Sequence, residues 1–399
     1  MKVLFVTDAP VAPPLAGDQL VTAQLIGALA ARSDLAVLSL RPGRWDPAIV
    51  QGVRILNDGS LGDAAPAQRL ARMRALVGRK SLLEQRLADL PVPRLEAILR
   101  EESPQVVLFN HLRVAALLAE IRMPLGVRSV YVAHNAEYEA YSSTVQIETN
   151  PFLRFALARE GRKTVHLERQ VVAAADLTVA LTAEDSVRLR GLHPGANVHV
   201  IPPAVHWHES GPSQPTDRCR VLLVGSYLWH AKFLNALWLI REVWPSVLDR
   251  FPNSRLEIVG KGAGRLTRYV RDLGTVQVHA DVPDIGPYLR EATIFVNPER
   301  QRGGIKLKTL DAASFGLPIV STAAGVEGTG LVDDASCIVA NGGDEFARGI
   351  LRLIVDPQLG RDLGSAARGV MREHFSERAL DQRVAELLRE IDAAAKTAA

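Results

Sequence analysis

Cysteine is scarce in this chain: two residues in 399, Cys219 and Cys337, far apart and without a C-x-x-C partner. That scarcity excludes a disulfide framework and a cysteine zinc site, and it fits a reducing cytoplasm. No uninterrupted apolar run reaches the roughly 18 to 20 residues that a membrane-spanning helix needs. The amino-terminal run Lys2–Thr7 is too short for a signal peptide and meets Asp8 at once. A cytoplasmic protein is expected, with peripheral contact at the inner face of a membrane left open. Charge of one sign is also lacking. Lysine and arginine number 47 against 44 acidic residues, for a formal charge of +3 and a pI near 8.9. Without a concentrated basic patch that balance argues against a nucleic-acid partner. The loop after the first apolar run, Ala9–Gln19, is proline-rich and has no G-x-G-x-x-G, which argues against a nicotinamide cofactor.

What is present is ordinary globular material, 47% hydrophobic and 23% charged, in a chain long enough for two domains. Short β-branched runs alternate with helix-period segments over almost the whole length. That alternation predicts parallel sheets covered by helices on both faces. In the first half the expected strands are Lys2–Thr7, Leu35–Leu40, Val53–Leu56, Val106–Phe109, Ser129–His134, Leu177–Leu181 and Val198–Ile201. The pattern restarts near residue 220, with Arg220–Val224, Arg255–Val259, Val276–His279, Thr293–Asn297, Ile319–Thr322 and Cys337–Val339. The proline-rich stretch Pro202–Pro215 reads as the linker. The expected boundaries are therefore 1–205, 206–375 and a final helix over 376–399 that packs back on the first domain. Ligands of such sheets bind beyond the carboxyl ends of the strands, which places an expected active site in a cleft between two facing domains.

The most informative segment runs from Asn297 through Gly303-Gly304-Ile305-Lys306-Leu307-Lys308 to Asp311. A strand leads to a glycine pair, and a helix is expected to begin with the two lysines. Glycines let a backbone approach an anion, and the N–H groups and dipole of a helix start favour negative charge. Asp311, expected two turns into that helix, is placed to accept hydrogen bonds from ribose hydroxyls. Lys232, at the approach to the helix that follows Gly225, is a second candidate to neutralise a diphosphate. Trp238 and Trp244 read as core residues.

On the first-half side, His134 ends a core strand in Tyr131-Val132-Ala133-His134-Asn135-Ala136-Glu137-Tyr138. It is a candidate hydroxyl partner or proton carrier, with Glu137 orienting it or meeting an acceptor. Gly17 and Asp18, at the start of the first helix, are candidates to face a ligand. Arg69, Arg72, Arg74, Arg79 and Lys80 occur with no intervening acid and read as an amphipathic surface helix, or as a segment lying on an anionic membrane.

These residues resemble a family. His134-Asn135-Ala136-Glu137, Val200–Val205, Gly225-Ser226 with Trp229, Val282-Pro283-Asp284-Ile285 and Gly303–Thr322 together resemble retaining glycosyltransferases of family 4, the glycosyl transferases group 1. The resemblance covers nearly the whole chain. It implies the GT-B fold, with two doubly wound Rossmann-like domains facing across a cleft. It also implies a nucleoside-diphosphate sugar donor held by the second domain and a hydroxyl acceptor held by the first, with no cofactor and no obligatory metal. The donor-side residues are then Gly225, Lys232, Val282, Gly303, Gly304, Ile305, Lys306 and Asp311; the acceptor-side residues are Gly17, Asp18 and Glu137. His134 and Glu299 are the catalytic candidates.

The chain departs from the family at two places. The family's donor loop carries two glutamates separated by seven residues; the second falls on Asp311, but the first position is Gly303, with Glu299 as a substitute. The arginine that often follows the first glycine of the second domain is Ser226. The competing readings are a non-catalytic scaffold or regulatory subunit of the same fold, an inverting transferase and a sugar-nucleotide epimerase.

Overall fold

The computed structural model describes the chain apart from residues 14–16, 57–77, 79, 86–91, 206, 208–218 and 399. Arg69, Arg72, Arg74 and Arg79 of the basic stretch, and most of the expected linker, lie outside the described residues. The rest divides into two compact units. One contains Met1–Ser142, Pro151–Ala204 and Glu377–Ala399; the other contains Ser143–Asn150 and Val205–Ser376. Ser143–Asn150 thus lies within the span read from sequence as the first domain but groups with the second unit.

The first unit is built on seven parallel strands: β1 (Lys2–Thr7), β2 (Asp34–Ser39), β3 (Arg54–Leu56), β4 (Val106–Asn110), β5 (Arg128–Ala133), β6 (Leu177–Ala180) and β7 (Val198–Val200). Their order is β3-β2-β1-β4-β5-β6-β7, so the winding reverses between β1 and β4. Residues 3–7, 106–110 and 129–133 are buried without a break, as strands covered on both faces require. The final helix, Glu377–Ala398, packs in this unit beside the first helix, Gly17–Ala30, with Arg32 and Asp381 paired at 3.3 Å.

The second unit repeats the plan with six parallel strands: β8 (Arg220–Val224), β9 (Arg255–Gly260), β10 (Val276–Ala280), β11 (Ile294–Asn297), β12 (Ile319–Ser321) and β13 (Ile338–Val339). Their order is β10-β9-β8-β11-β12-β13, and the reversal falls between β8 and β11. Side chains alternate between two cores. Val221, Leu223, Ile258, Ile294 and Val296 join the cluster around the fully buried Trp244, while Leu222, Val224, Val259 and Phe295 join the one around Phe315. This is the period of two that a strand imposes. Gly260 is required by close approach: its φ is +131°, and a Cβ there would lie 2.2 Å from the Gly225 carbonyl oxygen. That contact holds the turn after β9 against the turn after β8. The second and third residues of the helix His230–Trp238 are Ala231 and Lys232, so this turn also sets where Lys232 stands.

Candidate active site

In a doubly wound sheet, neighbouring strands whose connections leave in opposite directions open a crevice at their carboxyl ends. In the second unit that crevice lies between the segments after β8 and β11. Lys232 comes from the first, Glu299 from the second, and their Nζ and Oε1 atoms are 2.9 Å apart. Lys306 Nζ approaches the other carboxylate oxygen at 3.5 Å and donates a hydrogen bond to the Gly303 carbonyl at 2.8 Å. Burial of Glu299 raises its pKa, but the Coulomb field and hydrogen bonds of the two lysines outweigh that effect, so its carboxyl is held below the usual range. The cluster carries two ammonium groups on one carboxylate, an excess of one positive charge.

The loop carrying Glu299 is pinned from several sides. Glu299 N–H donates to Asn297 Oδ1 at 3.2 Å, and the Thr322 hydroxyl donates to the Glu299 carbonyl. The Asn297 amide donates to Thr309 Oγ1 at 2.8 Å and to the Gly325 carbonyl at 3.0 Å. Gly303 and Gly304 have φ values of +89° and +69°, backbone that other residues adopt only at a cost. Gly303 N–H donates to Glu327 Oε1 at 3.2 Å, so a carboxylate from the β12 loop lies against the position where the family carries a glutamate.

The helix begins one residue later than expected. It spans Leu307–Phe315, with Lys306 as its N-cap residue and no side-chain cap. Asp311 therefore sits little more than one turn in, where Lys308 Nζ meets its Oδ2 at 3.2 Å. Val282 and Ile305 both pack against the same apolar cluster of this unit, and Gly225 N–H is held by the Val259 carbonyl at 3.0 Å.

The first unit has a corresponding crevice. His134 immediately follows β5 and is buried; its Nε2 lies 2.8 Å from Asn110 Oδ1. The Asn110 amide nitrogen donates to Thr7 Oγ1 and Thr22 Oγ1, so its oxygen is left to accept and His134 carries its proton on Nε2. Burial, and then the charge of Arg113, lower the His134 pKa to about 3. The ring is therefore a neutral hydrogen-bonding group at physiological pH, which favours the hydroxyl-partner reading over the proton-carrying one. The Glu137 carboxyl is pushed up by burial, against the hydrogen bond from Asn135 (3.1 Å) and the charge of Arg113 that favour ionisation. Asp18, exposed in the first turn of its helix, is close enough to raise Glu137 further, so these two acceptor-side candidates share one end of the unit. Gly17 is exposed at the start of the same helix.

Several residues of these sites escaped the sequence reading. His111, after β4, adopts φ 73° and ψ 151°, a region that only glycine enters without strain, and its ring stacks on His134 with centroids 3.7 Å apart. Burial is also the main cause of its lowered pKa, followed by His134 and Arg113. Glu168 is fully buried and accepts hydrogen bonds from the N–H groups of Glu137 and Tyr138 at 3.1 and 3.2 Å, capping the helix Glu137–Ile147. Burial first, and the neighbouring Glu137 second, raise its pKa to about 8. Asp8, buried after β1, is paired at 3.0 Å with both Arg41 and Arg113. The position of Asp8 at a strand end was a usable signal. The partners of Glu168 and the strain at His111 left no trace in the sequence.

Two doubly wound Rossmann-like units with ion-paired crevices at their strand ends define a two-domain GT-B protein. The sequence profile described as Glycosyltransferase Family 4 matches residues 21–207, and that described as Glycosyl transferases group 1 matches residues 218–356. The chain belongs to the group 1 glycosyl transferases. It is 31% identical over 206 residues to the D-inositol 3-phosphate glycosyltransferase of Xylanimonas cellulosilytica, a match covering 45% of this chain and 48% of that protein. The matched stretches span less than half the length of the curated relatives. Among solved structures, sucrose-phosphate synthase from Thermosynechococcus elongatus shares the fold with a TM-score of 0.75 at 17% identity, over 98% of this chain and 99% of that one. Anabaena Alr3699/HepE, in complex with UDP-glucose, does so with a TM-score of 0.66 at 15% identity, over 98% of this chain and 100% of that one.

Proposed function

We propose that this chain transfers a sugar from a nucleoside-diphosphate sugar to a hydroxyl of an acceptor glycan, lipid carrier or natural product, with retention of anomeric configuration and without an obligatory metal. The observation that carries this reading is the Lys232–Glu299–Lys306 cluster at the strand reversal of the second unit, inside the stretch matched by the group 1 profile. Breaking a sugar–phosphate bond leaves negative charge on the departing diphosphate. Two ammonium groups already held by a carboxylate stabilise that charge without reorganising during the reaction. The left-handed glycine pair lets the backbone approach the diphosphate closely, and Asp311 supplies an acceptor for ribose hydroxyls.

On the acceptor side we assign Gly17, Asp18 and Glu137, with neutral His134 as a hydrogen-bonding group that positions the sugar or acceptor. The leaving phosphate then takes the proton of the acceptor hydroxyl on the same face of the sugar. The two free cysteines fit a reducing compartment such as the cytoplasm. No helix among the described residues is long and apolar enough to cross a membrane.

A thermal-shift panel of UDP-, GDP- and dTDP-sugars tests the donor assignment, because a ligand that binds only the native state raises its apparent stability. A shift with at least one is expected, and none with any of them refutes the assignment. Transfer that persists in EDTA, giving product of unchanged anomeric configuration, is expected; loss of activity in EDTA or an inverted product overturns those parts of the reading. Gly303, standing where the family has a glutamate, favours the second reading of a non-catalytic subunit, which predicts donor binding with no transferred or hydrolysed sugar.

A further inference from the structure

The carboxyl edge of the first sheet carries an ordered series of polar groups. Moving across β2, β1, β4 and β5, the residues just beyond the strands are Arg41, then Asp8, then His111 and Arg113, then His134 and Glu137. The cations gather over the β1–β4 reversal, and the neutral imidazoles and Glu137 lie toward β5.

One arginine is enough to neutralise Asp8. Two are present, each with Nε 3.0 Å from a different carboxylate oxygen, and the group is left with one excess positive charge. Neither contact has hydrogen-bond geometry at Asp8 Oδ1 or Arg113 Nε, although both atoms are buried. Among the described residues, neither guanidinium makes a side-chain hydrogen bond. Each guanidinium has five N–H donors in a planar fork suited to phosphate or carboxylate oxygens. The arginine side chains remain partly open, 43% exposed for Arg41 and 25% for Arg113, while Asp8 is 8% exposed. The two forks are thus fixed from beneath by a buried carboxylate, with their hydrogen-bonding capacity unused. The carboxylates of Asp18 and Glu137 belong to the other side of the series, where hydroxyls are the better ligands.

We infer that the first unit binds an acceptor that carries a phosphate, seated on Arg41 and Arg113, with its reacting hydroxyl toward His134 and Glu137. Neighbouring strands lie about 4.8 Å apart; Arg113 follows β4, next to β5, and its charge acts on His134 and Glu137, so the arginine pair over β1 and β4 begins roughly 5 to 10 Å from the groups beyond β5. That separation suits a phosphorylated sugar or polyol, free or as the head of a lipid. The use made of the bound molecule rests on the transferase reading; the phosphate site itself does not.

Two measurements on the full chain test the inference. Inorganic phosphate, titrated while the histidine ring signals are followed by NMR, is expected to move those of His111 and His134 in the wild type and to move them much less in Arg41→Gln. This variant keeps Arg113 on Asp8, and the surface variant Arg54→Gln serves as the charge-matched control. Equal responses in all three proteins overturn the site. In the transfer assay, glycerol 1-phosphate is compared with glycerol, and vesicles containing phosphatidic acid with vesicles of phosphatidylcholine alone. A preference for either phosphate-bearing acceptor supports the inference, the soluble arm assigning a free phosphate and the vesicle arm a lipid-borne one. In that case Arg113→Gln raises the acceptor KM about tenfold, the loss of one charge-assisted hydrogen bond, and leaves the donor KM unchanged. No preference in either arm, with donor binding intact, refutes the phosphate acceptor but not the transferase reading. Absence of any donor shift refutes that reading and leaves the phosphate titration to decide the site.

Discussion

Lys232 Nζ and Glu299 Oε1 meet at 2.9 Å across the reversal of the second sheet, one delivered by the helix after β8 and the other by the loop after β11. Sixty-odd residues separate them in sequence, so the pair forms only when the sheet is assembled. It also changes what Glu299 does. The carboxylate read as a substitute for a missing glutamate holds two lysines, and on the transferase reading its effect on a diphosphate passes through them.

Glu299→Ala leaves the buried Lys306 and the partly exposed Lys232 without their counter-charge. The expected result is a fall in kcat of about a hundredfold, on the scale seen when one element of an electrostatic site is removed, with a smaller change in donor affinity. Steady-state kinetics with varied donor check this. Glu299→Gln keeps the shape but not the charge and should fall between the two.

Asp311 stands little more than a turn into its helix, where its carboxylate pairs with Lys308 at 3.2 Å. Asp311→Ala should weaken donor binding about tenfold, the worth of one hydrogen bond to a charged group, with little loss of fold stability. Calorimetric titration with the nucleotide sugar measures it, and unchanged affinity removes Asp311 from the donor site.

Gly260→Ala puts a methyl group 2.2 Å from the Gly225 carbonyl on backbone at φ +131°. Overpacking and backbone strain together are expected to lower stability by about 2 to 4 kcal/mol. A donor affinity reduced in the fraction that remains folded is also expected, because the turn that sets Lys232 must move. Urea denaturation and a donor titration report the two effects separately.

Glu168 gives a pH dependence. Its folded pKa of about 8 exceeds the ordinary value of 4.5, so between these values the folded state holds more protons than the unfolded one. Stability from this group is complete below about pH 4.5 and is lost as pH rises through 8. Replacing it with glutamine removes that decline, and the difference between wild-type and Glu168→Gln urea midpoints should shrink steadily from pH 5 to pH 8. A difference that does not vary with pH refutes the assignment.

Much of the fold was legible because a parallel sheet buried on both faces writes itself as runs of Val, Ile and Leu. The thirteen strands among the described residues all arise from the runs read in the sequence, with ends displaced by a residue or so. The glycine loop after β11 was legible for a related reason: Gly303, Gly304, Lys306 and Asp311 lie close together in sequence, and a loop leading into a helix is a local object. The start of that helix was placed one residue early, because cap geometry depends on the φ and ψ of Lys306 and not on its identity. His134 was singled out, but the sequence left open whether it is a hydroxyl partner or a proton carrier. A pKa near 3 comes from burial and from Arg113, and neither is visible in the neighbouring residues.

The sequence by itself determined two doubly wound sheets and the glycine-pair loop that leads from the second of them into a helix. Those follow from backbone propensity and from the periodic burial of side chains, which act over a few residues at a time. Only the tertiary structure decided that Lys232 and Lys306 share Glu299, that Asp8 gathers Arg41 and Arg113, and that Glu168 lies beneath Glu137. The first two join segments from different strands, and the third brings together two helices of the β5–β6 connection. Electrostatic energy depends on distance and burial, and both are fixed by the order in which the strands pair, not by the order in which the chain is written.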